Sequence, residues 1–217
     1  MESPREERTF RVFDERIEEY DEWFERQRII YESELKLTES FPCSKPCIEI
    51  GVGTGRFAAP LGVETGIDPS TSALSLSAAR GIEVVRGVAE HLPFRNESFR
   101  TAYLIVTLCF VNNPRKTLSE AARVLKHGGR LITCIVPLDS EWGQFYEKRK
   151  RAGESIFYAN AVFYTREQVK SMLKEEKLNV VRAASVLRYS PGKKPAQEDP
   201  LEGEEGSFVC YESTKIS

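Results

Sequence analysis

What this chain of 217 residues lacks narrows its function first. No apolar run approaches the ~18 residues that a membrane-crossing helix needs, so no membrane association is expected. The first residues, Met1-Glu2-Ser3-Pro4-Arg5-Glu6-Glu7, are too charged for a secretory signal. A net charge of −2 denies the chain the basic face that nucleic-acid binding requires. Its one basic cluster, Lys148-Arg149-Lys150-Arg151, reads as a solvated helix face. Only two histidines occur, His91 and His127, both in loop-like contexts, and no Ser-His-Asp or paired-carboxylate array can be traced. Cys43 and Cys47 have no second Cys/His pair nearby to complete a tetrahedral site, so no metal is expected. The five cysteines are odd in number and fall mostly in apolar segments, as at Cys109, Cys134 and Cys210. That usage suits a reducing cytoplasm, with cysteine acting as a small hydrophobe.

What is present describes a globular chain. Hydrophobic residues make up 41% and charged residues 29%, and the length suits one domain with one core. Residues 9 to 39 read as helix, because Phe10, Phe13, Ile17, Tyr20, Phe24 and Tyr31 recur at helical spacing. Beyond them, strands are expected at Pro46 to Gly51, Val63 to Asp68, Glu83 to Val88, Thr101 to Leu108, Arg130 to Val136, Asn179 to Leu187 and Gly206 to Tyr211. Helices are expected at Gly55 to Leu61, Thr71 to Arg80, Pro114 to Lys126 and Thr165 to Lys177. Such alternation implies parallel strands with right-handed crossovers. The last two strands lack an intervening helix, which implies an antiparallel final strand. The segment Pro191 to Gly206 between them, rich in Pro, Gly, Lys and Glu, reads as a mobile loop.

The most informative stretch is Glu49-Ile50-Gly51-Val52-Gly53-Thr54-Gly55. Glycines at a strand-to-helix turn admit positive φ and let a ligand approach backbone with no Cβ in the way. A pyrophosphate would be repelled by Glu49, whereas an ammonium or sulfonium would be attracted. A second acid, Asp68, closes the next apolar segment, where it can accept from ribose hydroxyls. It can equally serve as a turn initiator or helix cap.

Glu49-x-Gly51-x-Gly53-x-Gly55 followed by Ile67-Asp68 resembles the first two motifs of class I S-adenosylmethionine-dependent methyltransferases. Ala89-Glu90-His91-Leu92-Pro93-Phe94 with Ser98-Phe99, and Arg123-Val124-Leu125-Lys126-His127-Gly128-Gly129-Arg130-Leu131, are similar to two further motifs of its small-molecule and quinone methyltransferase branch. In the second, His127 stands at the usual proline position. The resemblance implies an α/β, Rossmann-like doubly wound sheet of seven mostly parallel strands, ordered 3-2-1-4-5-7-6 with the last antiparallel. It implies one domain over 1–217: an N-terminal helical cap (1–40), a cofactor-binding core (41–137), a substrate-cover insertion (138–165) and a C-terminal helix with the last two strands (166–217).

The same resemblance implies S-adenosylmethionine as methyl donor and S-adenosylhomocysteine as product. Glu49, Ile50, Gly51 and Gly53 would hold the methionine end, and Gly55 would let the following helix pack closely. Asp68 would take the ribose hydroxyls and Pro69 would flank the adenine. Val88, Ala89 and Glu90 would border the purine, and Thr107 and Leu108 would lie beneath the sulfonium. Valine at 88 departs from the family, which often places there an aspartate that accepts from the adenine amino group. Either Glu90 or a water takes over, or the contact is missing. Asn112-Asn113-Pro114 has only a faint likeness to the motif of amino-methylating enzymes. Asn113 reads better as the cap of the helix that Pro114 starts.

Tyr20, Trp23, Phe24, Tyr31, Trp142 and Tyr146 are expected to line an apolar pocket for a small-molecule acceptor. In-line methyl transfer requires alignment and exclusion of water more than covalent help, so no catalytic residue is assigned. Two other readings remain at this stage: a nicotinamide-dependent oxidoreductase on a Rossmann sheet, and a non-catalytic module that binds S-adenosylmethionine. The acceptor and the oligomeric state are not legible.

Overall fold

A computed structural model describes residues 4–216, with side chains from residue 10 onward. The expected domain limits at residues 1 and 217 lie outside them, as do Met1, Glu2 and Ser3 of the charged N-terminus. Three helices come first: α1 (Pro4–Glu15), α2 (Ile17–Arg26) and α3 (Arg28–Glu39). The expected single helix is thus broken twice, at Arg16 (φ −130°, ψ 35°) and at Gln27 (φ −109°, ψ 36°). Unbroken, residues 9 to 39 would form a rod of about 46 Å. The two breaks instead fold the apolar stripe down over the sheet, and periodicity alone carries no signal for them.

The sheet follows as β1 (Cys47–Ile50), β2 (Thr65–Asp68), β3 (Glu83–Arg86), β4 (Phe99–Ile105), β5 (Leu125–Ile135), β6 (Leu178–Val186), β7 (Leu201–Glu202) and β8 (Phe208–Lys215). Interleaved helices are α4 (Ala58–Leu61), α5 (Thr71–Ala79), α6 (Pro114–Val124), α7 (Glu141–Arg151) and α8 (Arg166–Glu175). Strand order is β3-β2-β1-β4-β5-β8-β6-β7, with β1 to β5 parallel and β8 antiparallel to both neighbours. This is the expected doubly wound order with one strand more. Every residue of β1 is buried, as strands covered on both faces require.

Local chemistry sets the helix starts. Ser70, Asn113, Ser140 and Thr165 each accept a hydrogen bond from a backbone amide three residues on, capping α5, α6, α7 and α8. Asn113 is therefore a cap, followed by Pro114 at the first helical position.

Two expectations need correction. The segment 191–206 is pinned: Leu201 and Glu202 pair with β6 as an edge strand, Glu198 accepts from the Arg188 amide, and the Glu198 amide donates to Ser33 Oγ at 3.0 Å. Its polar composition masked these long-range partners. Four cysteines, moreover, are disulfide-bonded and not free hydrophobes: Cys43 with Cys47, and Cys134 with Cys210. Strand register, invisible in sequence, sets Cys134 opposite Cys210 across β5 and β8. Cysteine usage therefore gives no argument for a reducing compartment. Cys109 stays free and buried. Among the described residues no helix is long and apolar enough to cross a membrane.

Candidate active site

At the carboxyl ends of β1, β2 and β4 the chain opens a crevice. This is where the strand order reverses and where doubly wound sheets bind ligands. The glycine loop forms its floor. The Gly51 and Val52 amides donate to the Ile67 carbonyl at 2.8 and 3.0 Å, stitching the loop to the end of β2. Gly51 has φ +77°, and a Cβ there would meet Thr107 Oγ1 at 2.6 Å. Gly53, at φ +52°, has open space where its Cβ would be. Gly55, at φ +79°, lies against Ser77 and Ile82, so its role is close helix packing.

Asp68 spans the loop. Its Oδ2 accepts from the Gly53 amide and its Oδ1 from the Ser70 amide, both at 2.9 Å. Burial raises its carboxyl to about 6, against the lowering effect of those two amides. Glu49 is 2% exposed, and its Oε2 has no hydrogen-bond partner among the described residues. Burial first, and the charge of Asp68 second, hold its carboxyl well above the usual carboxylate range. Buried without a partner, such a group favours an arriving cation, beside which it can ionise.

Pro69, Val88, Ala89, Glu90 and Thr107 line the crevice with Asp68, Gly51 and Gly53. Glu90 Oε1 accepts from the amides of Asn112 and Asn113 at 2.8 and 3.1 Å, tying the loop after β3 to the loop after β4. That loop after β3 is clamped from beneath. Arg123 donates to the carbonyls of Phe94 and Leu92, while Glu120 accepts from both Arg123 and the Leu92 amide. The two later sequence motifs thus brace each other.

Ile50 and Leu108 do not face the crevice. Both are buried in the core, because strand alternation and the turn after β4 point them inward. Ile50 contributes its carbonyl, which accepts from Thr107 Oγ1 at 3.1 Å. Between Ile105 and Thr107, Val106 adopts φ +52°, a conformation that costs a β-branched residue about 1–3 kcal/mol. This strained backbone lies at the junction of the crevice with a second chamber.

The second chamber shares Phe13, Tyr20, Gly51, Gly53, Ile105, Val106 and Phe110 with the first. Glu49 opens onto it. Phe13 is the hub of the partition, with ring centroids 5.0 Å from Tyr20, 5.3 Å from Phe110 and 5.6 Å from Phe157. Tyr20, Trp23, Phe24 and Tyr146 line this chamber as well. Tyr31 and Trp142 do not. Tyr31 packs on Phe24 and Phe57 and donates to the Arg56 carbonyl at 2.6 Å, and Trp142 is buried with Nε1 donating to the Tyr189 carbonyl. Both support the wall from behind.

The helical cap is fastened to the cofactor core. Asp21 of α2 accepts from Arg56 and Arg80, and Arg80 also donates to the Thr54 carbonyl in the glycine loop. Asp14 of α1 accepts from Ser70 Oγ at 2.6 Å and from the Ser72 amide at 3.0 Å. These contacts bring Phe10, Phe13 and Ile17 over the crevice, lining residues that sequence reading left unassigned. Glu34 was also unassigned. It lines the second chamber and is 7% exposed. Its signal lay in the stripe Ile30-Glu34-Leu37-Phe41, where an acid occupies a buried helical position.

The comparisons with known proteins agree with this arrangement. The family model described as "Methyltransferase domain" matches residues 48–133, the span that carries the motifs. An uncharacterized protein of Methanocaldococcus jannaschii is 38% identical over 205 residues, covering 94% of this chain and 99% of its own. A demethylmenaquinone methyltransferase of Paenarthrobacter aurescens is 32% identical over 111 residues, 46% of this chain and 42% of its own, in keeping with the quinone-methyltransferase-like branch. The crystal structure of a SAM-dependent methyltransferase, possible histamine N-methyltransferase, from Thermotoga maritima matches with a TM-score of 0.90 at 37% identity. That match covers 96% of this chain and 100% of the other. The fold and nearly the whole length of the chain are thus shared with one group of enzymes, and this chain belongs to the S-adenosylmethionine-dependent methyltransferases.

Proposed function

We propose that the protein transfers a methyl group from S-adenosylmethionine to a small molecule seated in the second chamber. The observation that carries this reading is Glu49: a buried carboxyl with an unpartnered oxygen, on the loop whose Gly53 has open space in place of a side chain. A cationic amino-acid end satisfies that group, and a dinucleotide pyrophosphate does not. Glu49, Gly51 and Gly53 would hold the methionine end. Asp68 would accept from ribose hydroxyls with the lone pairs its amide contacts leave free, and Pro69, Val88 and Ala89 would border the adenine. Glu90 Oε1 holds the adjacent loops together through its bonds to Asn112 and Asn113, and its Oε2 is the acceptor that would stand in for the acid missing at Val88.

When bound, S-adenosylmethionine supplies an activated methyl group for in-line displacement. The chain's own contribution is to align and to exclude water. Phe13, Tyr20, Phe110 and Phe157 form the apolar partition across which donor and acceptor meet. The acceptor chamber is aromatic, and its Arg56 and Arg149 are paired with acids, which supports a small molecule over a nucleic acid.

Calorimetric titration with S-adenosylhomocysteine tests the reading. Micromolar affinity, about −8 kcal/mol, is expected for the wild type. NADH is expected not to bind. Binding of NADH in place of S-adenosylhomocysteine would refute the assignment.

A further inference from the structure

We infer that the second chamber takes a primary or secondary amine, and that Glu34 receives its ammonium group and removes the proton that blocks attack. This rests on the methyl-transfer reading above and names its acceptor class. Glu34 of α3 is 7% exposed, yet it accepts no hydrogen bond and forms no ion pair among the described residues. Around it the chamber is lined by Tyr20, Trp23, Phe24, Tyr146, Phe157 and Tyr158. A lone carboxyl among aromatic faces is costly to bury without a partner. It matches one chemistry: a cation held by ring faces and neutralised by one acid.

The other charged groups of the chamber are engaged elsewhere. Arg56 is bound by Asp21 and Glu25, Arg149 pairs with Glu154, and Arg26 donates to the Glu19 carbonyl at the rim, where Glu19 itself pairs with Arg16. Glu49 also lines the chamber, and in the reading above it is taken up by the methionine end of the donor. Burial holds Tyr20, Tyr146, Tyr158 and Tyr189 above the ordinary phenol range, so they stay neutral. Glu34 is therefore the acid placed to meet an acceptor. Burial raises its carboxyl to about 8, close to where a proton acceptor works best at neutral pH.

The proton balance is explicit. An ammonium enters, and Glu34 as carboxylate takes one of its protons, leaving a neutral amine with its lone pair free. The new nitrogen–carbon bond forms as the carbon–sulfur bond breaks, its electron pair leaving with sulfur. The product is a methylated ammonium, and the proton on Glu34 passes to solvent.

Binding calorimetry on the dead-end complex with S-adenosylhomocysteine reads this without turnover. The probes are 2-phenylethylamine, tryptamine and n-butylamine, each against the corresponding alcohol, with wild type, Glu34→Gln and Glu34→Asp. At least one amine should bind wild type tenfold or more tighter than its alcohol. With Glu34 at about 8, a pairing ammonium should release about 0.9 proton at pH 7 and about 0.1 at pH 9, seen in buffers of different ionisation enthalpy. Glu34→Gln should bind S-adenosylhomocysteine and the alcohols normally, lose the amine preference and release no proton. Glu34→Asp should keep part of both. Amines binding no better than alcohols in wild type, or equally well in Glu34→Gln, overturns the inference. Failure of S-adenosylhomocysteine to bind wild type overturns instead the reading on which it rests. Should Glu34→Gln not fold, the wild-type proton release decides by itself.

Discussion

The carboxylate of Asp68 accepts a hydrogen bond from the Gly53 amide at 2.9 Å, so the acid that ends β2 also fixes the tip of the glycine loop. Asp68→Ala removes that bond and the one to Ser70 together. At 1.5–3 kcal/mol for a hydrogen bond to a charged group, affinity for S-adenosylhomocysteine should fall at least about tenfold. The wild type should show a pH signature. With Asp68 raised to about 6, affinity should weaken as pH falls through 6 and the acceptor takes a proton. Stability of the ligand-free protein runs the other way, since a raised carboxyl gives up stability as pH rises from about 4 to 6. Calorimetry from pH 5 to 8 checks both; affinity that stays flat across pH 6 would count against Asp68 as a ribose ligand.

Gly51 and Gly53 should respond differently to alanine. Both have positive φ, but a Cβ at 51 runs into Thr107 whereas one at 53 meets nothing. Gly51→Ala should cost about 2–4 kcal/mol of folding stability, conformational strain plus overpacking. Gly53→Ala should cost about 1–2 kcal/mol, strain alone, while a larger Gly53→Val side chain blocks the ligand. Chemical denaturation alongside ligand titration separates the two. Equal stability loss at both positions would refute the packing argument.

Arg123→Ala tests the motif brace. It frees the carbonyls of Leu92 and Phe94 and strands Glu120, whose carboxyl its hydrogen bond with Arg123 holds down at about 2. A loss of about 2–3 kcal/mol is expected at neutral pH. A depressed carboxyl contributes stability above its unfolded pKa and loses it as pH falls toward 2. The variant should therefore lose less than wild type between pH 4.5 and 2. Parallel acid-denaturation curves for the two would contradict this.

Asp14→Ala should loosen the cap. Asp14 latches α1 to Ser70 and Ser72 beside Asp68. Without it, S-adenosylhomocysteine should dissociate about tenfold faster with little change in melting temperature. Stopped-flow displacement measures the rate, and an unchanged off-rate would show that α1 does not gate the crevice.

Glu34→Gln should change stability in a pH-dependent way. A carboxyl raised to about 8 by burial favours folding fully below about 4.5 and gives that up as pH rises to 8. At 1.36 kcal/mol per unit, the wild type should lose a few kcal/mol over that window. Glutamine, always neutral, should flatten the slope. Denaturation midpoints at pH 5 and 8 decide the matter, and matching slopes in the two proteins would show Glu34 to be solvated.

Much of the cofactor side was legible because its chemistry is local. Positive φ at Gly51, Gly53 and Gly55, the caps at Ser70 and Asn113, and an acid at the end of β2 each follow from a few neighbouring residues. That β1 to β5 run parallel follows from helices placed between most of these strands, and their order is the one the family resemblance implies. The acceptor side was less legible. Aromatic content of the flanking segments marked Tyr20, Trp23, Phe24 and Tyr146, but it also marked Tyr31 and Trp142, which prop the wall from behind.

By itself, then, the amino-acid sequence determined the class of sheet, the cradle at 49–55 and the charge suited to it, since backbone sterics and nearest neighbours impose them. Only the tertiary structure decided that the cap breaks at Arg16 and Gln27, that Phe13 partitions two chambers, that Cys134 faces Cys210, and that Glu34 stands alone among rings. Each of these depends on which distant surfaces come together when apolar area is buried. Periodicity states which face of a helix is turned inward, but not what it meets there.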